Sequence, residues 1–149
     1  MKLNGQSFDF VSIVDDDGHL QRFETKELFK INKSKIQEEL LKFTSEFAWW
    51  NRLKSELFAQ KNQAKRALEV TEAELSLKAR RGGYGDIKIT EGTITNLVNS
   101  DPVMNEKHQI YNDLSRLSDI AFSTVESLRM KQEMIKLYLS ELKNYSTSI

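Results

Sequence analysis

The chain of 149 residues has no cysteine, one proline and two histidines. Without cysteine it cannot form a disulfide, a thiol nucleophile or a thiolate metal site, and it suits a reducing compartment. His19 and His108 each lack a second histidine or a carboxylate four residues on, the spacing of a helical zinc site. No phosphate-binding Gly-rich loop ending in Lys-Ser/Thr, no Gly-x-Ser-x-Gly elbow and no His-Glu-x-x-His occurs. Catalytic residues, metals and cofactors are therefore not assigned, and the chain reads as a non-enzymatic binding protein. No apolar run approaches the ~18 residues of a membrane span, and Met1-Lys-Leu-Asn-Gly-Gln lacks a secretory apolar core. A cytoplasmic location with no membrane partner is expected.

An excess of one charge is also missing, since 22 basic and 22 acidic residues cancel. The distribution is informative where the total is not. Residues 51–81 carry eight Lys/Arg against four Glu, whereas residues 1–27 carry three basic and six acidic side chains. A positive field therefore concentrates on one segment, densest at its end.

Alternating apolar positions in Phe8–Val14 and His19–Phe23, separated by Asp15-Asp-Asp-Gly18, predict a β-hairpin with glycine supplying the positive-φ residue. The three aspartates lack the alternating carboxylates and distal Glu of a calcium loop and read as a solvated turn. Thr25–Lys30 suggests a short helix, with Asn32 or Ser34 capping a long one. Ile36, Leu40, Phe43, Phe47, Trp50, Leu57, Ala64, Leu68 and Leu75 then follow mostly alternating four-three steps, with Lys54, Lys61 and Thr71 as weak points and Leu53 and Phe58 widening the apolar face. A helix from Ser34 to Arg81 would be roughly 70 Å long. After a connector in which Ile87–Ile89 reads as extended and Thr90–Val98 as one or two helical turns, Asp101-Pro102 is a helix start. Ile110, Leu114, Leu117, Ala121, Leu128, Ile135, Tyr138, Leu142 and Tyr145 repeat the four-three spacing, with Thr124 and Lys131 as weak points. The expected fold is mostly α: two long antiparallel helices in a helical hairpin or bundle, with a short N-terminal β-hairpin, assembling as an oligomer. Residues 1–30 form the hairpin appendage and residues 31–149 the long-helix and oligomerisation domain. Trp50 falls in the first seam, while Trp49, turned about 100° away, could cover the hairpin, a base or a subunit interface. Trp49, Trp50, Leu114, Leu128, Ile135 and Tyr138 are the candidate contacts between subunits.

Charge, flexible backbone and an aromatic ring meet in Leu75-Ser-Leu-Lys-Ala-Arg-Arg-Gly-Gly-Tyr-Gly85. Lys78, Arg80 and Arg81 can neutralise phosphates, Gly82, Gly83 and Gly85 permit close approach of the backbone, and Tyr84 offers a stacking face. Lys65 and Arg66 extend the basic surface towards the helix middle. The same residues also make an ordinary helix stop, glycine past the last turn and cations opposite the negative end of the dipole.

Ile31-Asn-Lys-Ser-Lys-Ile36, Phe47-Ala-Trp-Trp-Asn-Arg-Leu53, Leu77-Lys-Ala-Arg80 followed by glycines and a tyrosine, Lys88-Ile-Thr-Glu91 and Val98-Asn-Ser-Asp-Pro102 occur in that order. Together they resemble the UvsY-like phage recombination-mediator family over about residues 31–144. The resemblance implies a helical, ring-like homo-oligomer that binds single-stranded DNA and assists loading of a RecA-like recombinase, acting beside a single-strand-binding protein in the cytoplasm of a phage-infected bacterium. Lys78 and Arg80 match the family's Lys-Ala-Arg and carry over as DNA contacts. The N-terminal hairpin has no counterpart in it, and the expected Tyr-Tyr is reduced to Tyr84. Two other readings stand beside this one: a helical scaffold or adaptor for a protein partner, and a phage inhibitor of a host nucleic-acid enzyme acting through Asp15–Asp17.

Overall fold

A computed structural model describes residues 2–6, 10–14, 17–82 and 90–146. The chain is mostly helical. Strands β1 (Lys2–Gln6), β2 (Phe10–Val14) and β3 (Leu20–Glu24) precede helices α1 (Thr25–Phe29), α2 (Ile36–Arg80), α3 (Glu91–Ser100) and α4 (Pro102–Ser146). The chain divides into two compact units, one formed by residues 1–54 with 120–149 and the other by residues 55–119.

In the first unit the expected hairpin is present as β2 and β3, paired antiparallel from Phe10↔Glu24 to Val14↔Leu20. Gly18, at φ 85°, takes the left-handed conformation that the reversal requires. β1 adds a third, antiparallel strand on the other side of β2, with an irregularity between Leu3 and Gly5. β3 runs directly into α1. Asn32 then caps a 3₁₀ turn over Lys33–Lys35, its Oδ1 accepting the Ser34 N–H at 3.2 Å and the Ser34 hydroxyl at 2.7 Å. That turn leads into α2.

The start of α2 and the end of α4 run antiparallel in this unit. Lys33 lies over the Tyr138 ring, Lys131 pairs with Glu39, Arg129 lies over Phe47 and Lys54 over Phe122, so numbers rise on one helix as they fall on the other. Between them Phe43, Trp50, Leu53, Ala121, Val125, Leu128 and Ile135 are buried. Phe23 fastens the sheet to this core, its ring 5.4 Å from Trp49 and 5.7 Å from Trp50.

Lys131, expected to weaken the seam, is instead 7% exposed. Its Nζ donates to the Leu28 carbonyl at 3.0 Å and pairs with Glu39 Oε2 at 3.0 Å. One ammonium thus links α1, α2 and α4, satisfying a carbonyl near the end of α1 that its short helix leaves open. Three other seam assignments need correction. Phe58 is 57% exposed rather than part of the buried face, and at the two ends of the α4 seam Ile110 is 41% and Leu142 45% exposed. The last follows from length, because the pairing with the α2 side of this unit reaches Tyr138 at Lys33 and α4 continues past it.

The second unit contains the end of α2, α3 and the start of α4. Ala79, Ile94, Val98 and Met104 form its buried cluster, with Leu68, Leu75 and Leu97 packed against them. Ile94, Leu97 and Val98 share one face of α3 at i, i+3, i+4 spacing. Thr90 caps α3 by accepting the Thr93 N–H at 3.2 Å. The helix stop at Asp101 is also a start: its N–H donates to the Val98 carbonyl at 3.2 Å, and its carboxylate accepts the Val103 N–H at 2.9 Å. Pro102 occupies the first position of α4, as read from the sequence.

Removing one partner of a buried ion pair leaves the other charge uncompensated, at a cost of about 3–5 kcal/mol. Lys131→Met should therefore lower the denaturation free energy by about 3 kcal/mol, measured by urea titration of the helical circular dichroism. A loss no larger than that of an exposed pair would contradict its role in joining three helices.

Candidate nucleic-acid interface

The basic segment sits at the C-terminal end of α2, in the second unit. The backbone closes there by a glycine stop: Arg81 N–H donates to the Leu77 carbonyl at 3.1 Å, Gly82 N–H to the Ala79 carbonyl at 3.1 Å, and Gly82 has φ 74°. Ala79 faces the core, which turns Lys78, Arg80 and Arg81 outward, and all three are exposed. Their positive charge complements the partial negative charge of the helix end.

Arg80 is engaged. Its guanidinium forks onto Glu91 in the first turn of α3, Nη1 to Oε1 at 2.7 Å and Nη2 to Oε2 at 2.9 Å. The two ends of the connector are tied by this pair. The side chains remain 51% and 75% exposed, so water and salt screen the attraction and the net contribution is about 0–1 kcal/mol. A phosphate offers the same fork geometry with comparable or greater charge, and can exchange for the carboxylate at little cost.

The expected cluster is only partly assembled. Lys78, Arg80 and Arg81 are together, whereas Arg66 lies about 20 Å back along the helix from Arg80. Lys65 is near Arg66 and pairs with Glu69 at 3.9 Å. Gly83, Tyr84 and Gly85, the proposed stacking and close-approach residues, lie outside the described residues, as do Ile87–Ile89, Asp15 and Asp16. Glu91 is the residue that sequence reasoning missed, because its partner is eleven positions away across the connector.

The candidate subunit contacts require a larger correction. Trp50, Leu128 and Ile135 are 0% exposed in the single chain, so they belong to its own core. Trp49 is half-buried and covers the hairpin through Phe23, one of the roles open to it. Tyr138 lies under Lys33, and Leu114 is half-buried. A surface for self-association must use residues other than Trp50, Leu128 and Ile135.

Elsewhere in the first unit an open trough of about 390 Å³ is lined by residues that include Arg22, Glu24, Glu27, Lys30, Lys42 and Glu46. These six pair with one another as Arg22–Glu24, Lys30–Glu27 and Lys42–Glu46, leaving a neutralised surface. Among the described residues no three metal-ligating side chains come together, and no helix is long and apolar enough to cross a membrane. Comparison of the chain with protein-family models, with curated proteins and with solved structures finds no match.

Because Glu91 competes for Arg80, Glu91→Gln should change unfolding free energy by less than about 1 kcal/mol while tightening binding of a single-stranded oligonucleotide. Paired urea titration and fluorescence anisotropy check this, and weaker binding by the variant would contradict it.

Proposed function

We propose that this protein is a non-enzymatic recombination mediator that binds single-stranded DNA and assists loading of a RecA-like recombinase. The observation that carries the reading is the exposed cluster of Lys78, Arg80 and Arg81 at the glycine-stopped end of α2, where Arg80 is held by a surface carboxylate pair that a phosphate can replace. The order of sequence motifs resembling the UvsY-like mediators supports the biological role. Three cations per chain give weak binding alone, and repeated copies along one strand gain avidity without new contacts.

Such binding depends on phosphates, so it is steeply salt-dependent and nearly indifferent to base identity. Charge reversal at Lys78→Glu and Arg80→Glu together should weaken binding of a labelled oligothymidylate at least tenfold at low salt. The slope of log affinity against log salt should fall by about 1.4, two contacts at ~0.7 each. Fluorescence anisotropy at several salt concentrations measures both quantities. No binding by the unmodified protein at low salt would contradict the proposal and favour a helical adaptor for a protein partner.

A further inference from the structure

Two exposed helix faces outside the core carry the same spacing with opposite charge. On α2 and the residue that follows it, whose N–H still bonds the Leu77 carbonyl, Arg66, Val70, Leu77 and Arg81 are separated by four, seven and four residues. On α4, Glu126, Met130, Leu137 and Glu141 are separated by four, seven and four. At ~100° per residue each set falls within an arc of about 60°. Each arc lies opposite the buried side of its helix, marked by Leu68, Leu75 and Ala79 on α2 and by Leu128 and Ile135 on α4.

All four apolar members are in water. Val70 is 57%, Leu77 53%, Met130 70% and Leu137 59% exposed. Met134, 57% exposed, widens the α4 face, and Glu133 beside it is paired with Lys136 at 2.7 Å. No acidic side chain falls within the α2 arc itself; Glu74 flanks it at the place equivalent to Met134 on α4, and among the described residues neither Arg66 nor Arg81 is ion-paired. Glu126 pairs with the neighbouring Arg129, at 2.8 Å on the surface.

We infer that these faces are the two halves of one interface between copies of this chain, the Arg66–Arg81 face of α2 docking on the Glu126–Glu141 face of α4 of another copy. Each apolar pair meets the other, and an arginine meets a glutamate at both ends. The four-seven-four spacing reads the same in either direction, so this match holds whichever way the helices run. Since the halves lie on different helices, the contact is heterologous, and each copy has one half left for the next neighbour. Repetition generates a ring or a filament. The seam takes Arg81 out of the three cations that face phosphate in the lone chain and leaves Lys78 and Arg80 outside it, the two that the oligothymidylate test reverses.

Light scattering of the full chain without nucleic acid tests this independently of the DNA reading. The unmodified protein should have a mass several times 17.3 kDa. A chain with Glu126→Arg and Glu141→Arg, and one with Arg66→Glu and Arg81→Glu, should each fall to 17.3 kDa with helical content unchanged. Mixing them restores an acidic face opposite every basic one, and the larger mass should return. Leu77→Gln, which alters no charge, should also lower the mass. A monomeric unmodified protein, an assembly indifferent to these changes, or reversed chains that stay apart on mixing would overturn the inference.

Discussion

A helix 45 residues long can cover only the arc that its partner reaches, and both α2 and α4 have that length. Burial of the inner arc supplies the apolar stabilisation that holds the helices, since isolated helices draw little stability from propensity alone. The opposite arc stays in water over many turns. What that arc carries decides what the molecule can touch: arginines with valine and leucine on α2, glutamates with methionine and leucine on α4.

The inner arcs are fastened at points where apolar contact alone would leave register loose. In the first unit Lys131 reaches the Leu28 carbonyl and Glu39, a directional link in an otherwise apolar seam. Phe23 against the two tryptophans then fixes where the sheet sits. In the second unit the small Ala79 lets α3 lie close to the end of α2, and this packing orients the neighbouring cations outward. The core and the basic surface are thus two consequences of one helix phase.

Local chemistry made much of this legible from residues alone. Asp17-Gly18 marked the hairpin turn, Asp101-Pro102 marked the start of α4, and the basic run before Gly82 marked the end of α2. Other features depend on distance in sequence. β1 was missed because Lys2–Gln6 is short and includes a glycine, so its pairing with β2 supplies what its own pattern lacks. α3 spans ten residues where one or two turns were expected, its length set by packing on Ala79 and Met104. Lys131 looked like a defect because a seam count treats every lysine as polar and cannot include a carbonyl 103 positions away. Trp50, Leu128 and Ile135 were correctly apolar, but the periodic pattern does not distinguish a helix partner in the same chain from one in another.

The end of α2 is most directly tested as a DNA surface by mapping contact. Ultraviolet crosslinking of the full chain to a single strand containing a halogenated pyrimidine, followed by mass spectrometry of the peptides, identifies the residues that lie against the bases. The account predicts crosslinks confined to the peptide around Lys78, Arg80 and the glycines that follow, diminishing as salt rises. Crosslinks confined to the N-terminal sheet or to the far end of α4, with none around Arg80, would contradict it.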